Sequence, residues 1–128
     1  MLIRTLILLS PLVLAACSVQ QKAVQTELHF GLSTLDGGMV SDSAWEHYSE
    51  DCLGKVFVNG FTILKGTGKW LNTATRLVEG EPTVMVIAAN KKSRRLSRQI
   101  DSAIMVYKRT FHQQSVLRVD KKITMQLE

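Results

Sequence analysis

The chain has 128 residues, 45% of them hydrophobic, with 16 lysines and arginines against 11 acidic residues and a formal net charge of +5. That is the size of one domain able to bury its own core. The charge, part of it Arg4 near the N-terminus, is too small to mark a nucleic-acid binder, and two cysteines make no disulfide framework.

Met1 to Ala16 do not read as part of the fold. Arg4 gives a basic start, and Leu6 to Leu14 form an apolar run broken only by Ser10 and Pro11. A spanning helix needs about 20 apolar residues. A basic start, a short apolar run and small residues before a cut site describe a secretory signal peptide instead. Leu14-Ala15-Ala16-Cys17 resembles the lipobox of bacterial lipoproteins. The resemblance implies a diacylglyceryl thioether on Cys17, cleavage just before it and N-acylation, with palmitate-like chains anchoring the protein to the membrane. Each buried methylene contributes about 0.8 kcal/mol, so two or three chains anchor stably where one holds marginally. Ser18 stands where an Asp would imply retention at the inner membrane, so the resemblance implies a periplasm-facing lipoprotein of the outer membrane. The expected division is residues 1–16 as lipoprotein signal peptide, 17–25 as lipidated N-terminus and polar tether, and 26–128 as one α+β domain. Cys52 is then the only thiol left and reads as a small buried hydrophobe, because no base or second cysteine stands beside it.

Within the domain, Glu27 to Ser33 alternates Leu28, Phe30 and Leu32 against Glu27, His29 and Gly31, the pattern of a half-buried first strand. Asp36-Gly37-Gly38 is turn chemistry. Ser41 or Ser43 caps a helix, with Ser43 to Glu46 fitting a capping box. Trp45, Tyr48 and Cys52 share its apolar face, and Gly54 is the expected stop. Asn59-Gly60 turns into a second strand from Phe61 to Leu71, whose Gly66 and Gly68 suggest a bulge or a close backbone approach. Asn72 to Glu81 reads as a polar hairpin loop. Thr83 to Ala89, apolar on both sides, reads as a central strand. The long helix follows, with Leu96, Ile100, Ala103, Ile104, Tyr107 and Phe111 on one stripe. Its last turn carries Lys108 and Arg109, which suit the negative end of the helix dipole. Ser115 to Leu127 reads as the last strand, with Ile123, Met125 and Leu127 in phase with Leu117 and Val119, and these last two are expected to act purely through the core.

The order β-α-β-β-α-β fits a ferredoxin-like fold, in which two helices cover one face of a four-stranded antiparallel sheet and leave the other open. The chain also resembles the bacterial family called domain of unknown function 3574. Glu27 to Ser33, Asp36-Gly37-Gly38, Val40-Ser41 and Trp45 carry the resemblance, with Gly60 to Leu64, Gly68-Lys69-Trp70 and above all Tyr107 to Val119. Many members are also lipoproteins. The family implies no established activity.

The candidate sites are of three kinds. His112, Gln114, Arg118 and Asp120 cluster where the long helix gives way to the last strand, and an arginine steadied by Asp120 is suited to hold a carboxylate or phosphate in two places. The plainer alternative is a surface ion pair. Lys91, Lys92, Arg94, Arg95 and Arg98 gather at the start of the long helix, where the dipole favours acids, and suit an anionic surface. His29, His47 and His112 form no metal-ligand spacing, and no phosphate loop or nucleophile elbow is present, so neither metal nor cofactor is expected. The expected role is a lipid-anchored, non-catalytic binding or assembly module, with an envelope protein or a second copy on the open sheet face as possible partners and no nucleic acid. The alternative is a small enzyme or small-molecule binder using that face.

Overall fold

In the computed structural model, which describes residues 20–126, the elements follow the order read from the sequence. They are β1 (Gln21–Gly31), α1 (Asp42–Tyr48), a π-helical turn (Ser49–Leu53), α2 (Gly54–Val56), β2 (Thr62–Asn72), β3 (Leu77–Asn90), α3 (Arg94–Thr110) and β4 (Leu117–Met125). The strands form one antiparallel sheet in the order β2-β3-β1-β4, with the helices on one face, which is the ferredoxin-like arrangement. The expected signal peptide and Cys17 lie outside the described residues.

Residues opposite each other in an antiparallel ladder share a face. Thr26, Leu28 and Phe30 of β1 oppose Ala88, Val86 and Val84 of β3, and all six are buried under the helices. Trp45, Tyr48, Leu53, Phe57, Ile100, Ala103 and Tyr107 complete that core. Phe30 is its centre: its ring lies 4.7 Å from Tyr107, 5.2 Å from Trp45 and 5.7 Å from Tyr48, centroid to centroid. Such pairs add about 0.5–1.5 kcal/mol each beyond the area they bury. Helix α3 packs by the stripe expected of it, and its first turn is capped where Ser93 Oγ accepts from Leu96 N–H at 3.0 Å. Burial lifts the hydroxyls of Tyr48 and Tyr107 well above their ordinary 10.0, so both stay protonated and donate, to the carbonyls of Ala103 and Gly31 respectively.

Several local expectations are corrected. Strand β1 starts at Gln21, so residues 21–25 of the expected tether are paired, Gln21 with Met125 and Gln25 with Lys121. Strand β3 starts at Leu77, and the expected loop shrinks to a tight turn in which Asn72 Oδ1 accepts from Ala74 N–H and Thr75 N–H. Ser41, not Ser43, caps α1. Gly54 does not stop the helical segment, because the π turn carries the chain on through Val56. The β2–β3 ladder runs unbroken through Gly66 and Gly68, so there is no bulge; the close approach is at Gly68 alone. Cys52 is half-buried rather than buried.

The largest correction concerns β4. Leu28 opposes Arg118 and Thr26 opposes Asp120, so the polar pair points to the helix side. Leu117, Val119, Ile123 and Met125 therefore point to the open face, and Leu117 is 58% exposed. A period of two fixes which residues share a face but not which face is covered.

Candidate functional site

The four residues expected to form one site are divided by the sheet. Arg118 reaches beneath α3, where its Nη1 donates to Asp101 Oδ1 at 2.8 Å and its Nη2 to Ser97 Oγ at 3.2 Å. Its Nε donates to Asp120 Oδ2 at 3.0 Å, and Asp120 accepts on its other oxygen from the Thr26 hydroxyl at 2.7 Å. Every nitrogen of the guanidinium is engaged. Arg118 and Asp120 bind the edge strand to the long helix, and the fork has no face left for an anion.

His112 and Gln114 lie elsewhere, on the α3–β4 connection, where they line a cleft of about 680 Å³ at the far end of the open face. β1 contributes His29 and Gly31 to this cleft, the β2–β3 hairpin Gly68, Trp70, Glu81 and Thr83, and β4 Leu117. The register explains the gathering, since Gly68 opposes Glu81 and Gly31 opposes Thr83. His112 takes a φ of 51°, a left-handed turn of the chain as the helix gives way to the strand. Gln113 Nε2 then donates to Ser33 O at 2.6 Å, and Tyr107 Oη donates to Gly31 O at 2.7 Å. The rim is thus fastened at and just beyond the end of β1, by Tyr107 from α3 and by Gln113 from the connection that follows it.

Glu81 is the charged group most firmly placed. It is half-buried, and its carboxylate accepts from Ser33 N–H at 3.3 Å. It lies so close over Gly31 that a β-carbon there would stand 2.6 Å from Oε1. Gly68 has the same relation to Thr83: its N–H donates to Thr83 Oγ1 at 3.2 Å, and a β-carbon would stand 2.8 Å from that oxygen. Both glycines make room for a polar group of the cleft. Trp70 stands beside them 45% exposed, unlike Trp45, which is core. At the rim, the Thr34 hydroxyl and then Gly38 N–H hold the Asp36 carboxyl below its usual range. Sequence reasoning missed Glu81 as a site residue; Trp70, which follows the glycine pair, reads in the sequence as core sooner than as a stacking platform, and the structure leaves it half-exposed. Glycines opposite large polar residues in neighbouring strands were the available signal.

The basic residues are placed around the start of α3, on the other end of the sheet. Lys92 lines a hollow of about 190 Å³ with Lys121, Lys122 and Arg118. Arg95 and Arg98 line a separate groove against the π turn, facing Asp51. Lys91 and Arg94 are exposed between them.

Residues 25–127 match the family described as "Protein of unknown function (DUF3574)", and the chain belongs to that family. Among curated proteins, none matches it. Solved structures of similar fold include a phage SAM lyase in complex with S-methyl-5'-thioadenosine, at a TM-score of 0.60 and 10% identity over 82% of this chain and 90% of that one. The B. subtilis GlnK–ATP complex is similar at a TM-score of 0.54 and 15% identity, over 80% and 82%. CPII, a nitrogen regulatory PII-like protein from Thiomonas intermedia K12 bound to ADP, AMP and bicarbonate, is similar at 0.50 and 16%, over 84% and 96%. At these identities the likeness is one of fold.

Proposed function

We propose that this member of the DUF3574 family is a lipid-anchored module of the bacterial outer membrane that faces the periplasm and binds a small polar molecule in the cleft without transforming it. The observation that carries the reading is Glu81, a half-buried carboxylate held by Ser33 N–H over a glycine, beside the half-exposed ring of Trp70. A flat ring has Trp70 to stack on, and its hydrogen-bond donors have Glu81 to meet. His29, His112 and Gln114 add polar groups around the same space. Among the described residues, no hydroxyl lining the cleft is hydrogen-bonded to an imidazole, the pairing an activated nucleophile needs. The reading proposed therefore calls on no activated hydroxyl.

Adenine-bearing compounds are the first to try, because the solved neighbours of this fold hold S-methyl-5'-thioadenosine, ATP, ADP and AMP. The test is titration of the protein with adenosine, S-methyl-5'-thioadenosine and ATP, followed by calorimetry and tryptophan fluorescence. Saturable binding that Glu81→Gln and Trp70→Ala each weaken at least tenfold supports the reading, and a flat titration with all three sinks this ligand class. Anchoring is supported by the lipobox-like Leu14-Ala15-Ala16-Cys17. Labelling of cells with a fatty acid checks it: Cys17→Ser should abolish the label.

A further inference from the structure

The basic residues that the cleft leaves unused lie at the end of the sheet where the chain enters it. β1 begins at Gln21, and its register with the neighbouring strands places Lys22 opposite Thr124 and Val24 opposite both Lys122 and Asn90. Lys91, Lys92 and Arg94 follow Asn90 directly. Five cations from β1, β4 and the entry to α3 thus occupy one end of the molecule, all of them exposed. No ion pair engages any of the five among the described residues. Among the described residues, Asp101 and Asp120, which flank this end on α3 and β4, are both held by Arg118. The first turn of α3 contains no acidic residue, so its positive dipole end adds to the same field. The cleft lies at the opposite end of β1, where Gly31 is seven residues on from Val24 and nine from Lys22, roughly 23–30 Å away at about 3.3 Å per residue.

We infer that this basic end docks on a membrane surface bearing anionic lipid headgroups, and that docking turns the cleft away from the bilayer. Charge complementarity is one support, and connectivity is the other. Cys17 is four residues before Gln21, a reach of at most about 14 Å. Whether the membrane-seeking element is a lipid on Cys17 or the apolar run from Leu6 to Leu14, it is attached at this end. A basic patch beside a lipid anchor is the two-signal arrangement that holds a protein to a bilayer in a fixed pose. The inference extends the anchored reading proposed above, but the basic end would seek anionic lipid even without the acyl chains.

The full chain is to be mixed with vesicles of phosphatidylcholine alone, or of phosphatidylcholine with phosphatidylglycerol, and its lysines acetylated and read by mass spectrometry. With phosphatidylglycerol present, Lys22, Lys91, Lys92 and Lys122 should lose reactivity several-fold, while Lys65 and Lys69 towards the other end keep theirs. High salt should restore the first group. Replacing Lys91, Lys92 and Lys122 by glutamine should lower the preference for the anionic vesicles, roughly fivefold for each charge removed. Equal binding to both vesicles with no pattern among the lysines would overturn the docking and leave the anchor standing. Absence from neutral vesicles but patterned protection on anionic ones would remove the anchor and keep the docking. Protection of Lys65 and Lys69 instead would overturn the orientation.

Discussion

The middle of strand β1 and its Gly31 end hold polar clusters that look alike in sequence and differ in kind. At the middle of β1, under α3, Arg118, Asp120, Asp101, Ser97 and Thr26 answer one another, and the arginine spends all its nitrogens inside the protein. At the Gly31 end, Glu81 has one backbone donor, and the ring and imidazoles beside it face an open cleft. The difference teaches that saturation separates a cluster that holds the fold from one that can hold a ligand. Charge and proximity do not.

The largest effect should come from Tyr107, whose fully buried ring supports the core beneath the cleft end. Tyr107→Ala should cost about 3–5 kcal/mol in denaturant unfolding and abolish the cleft with the fold. Tyr107→Phe, which loses only the bond to Gly31 O, should cost about 1 kcal/mol and loosen the cleft alone.

Alkali should act on the same residue. Burial, with a lesser push from Glu81, raises the Tyr107 hydroxyl above its ordinary 10.0, and burial raises Tyr48 likewise. The folded chain then keeps protons that the unfolded chain releases, so stability is full below pH 10 and falls as pH rises beyond it. Thermal melts across that range should fall more gently in Tyr48→Phe and Tyr107→Phe.

Next comes the closed cluster. Arg118→Ala should lower stability by about 1–2 kcal/mol without changing ligand affinity, and Arg118→Lys should recover it only in part, because lysine lacks the planar fork. A lost affinity at unchanged melting temperature would reverse the assignment of the two clusters. The smallest change in stability belongs to the open cluster: Trp70→Ala should stay within about 0.5 kcal/mol of wild type while weakening binding.

Much of this was legible beforehand. The i, i+4, i+7 spacing from Leu96 to Tyr107 gave α3 its buried side, and alternation around Leu28 and Phe30 placed the first strand in the core. What failed was the facing of β4, where Leu117 and Val119 look like core and Arg118 like surface. Arg118 is drawn under α3 by partners 17 and 21 residues earlier, a long-range fact that no local pattern encodes. The cleft was half legible for the same reason. His112 and Gln114 stood out in the sequence, but Glu81 gains its meaning only when the hairpin register sets it beside Gly31.

The placement of β1 in the sheet has a consequence for how the protein is made. β1 is an inner strand, yet it leaves the ribosome before the other three described strands, and its partners are residues 83–90 and 117–125. The hairpin of β2 and β3 can close as soon as it is synthesised, across a turn of a few residues. β1 has no neighbour until that hairpin swings round, and none on its other side until almost the whole chain has emerged. Closing loops of this length raises the entropic barrier to folding and slows it. The nascent chain therefore carries an inner strand of its sheet unpaired until the β2–β3 hairpin has formed, with Leu28 and Phe30 of the later core uncovered meanwhile.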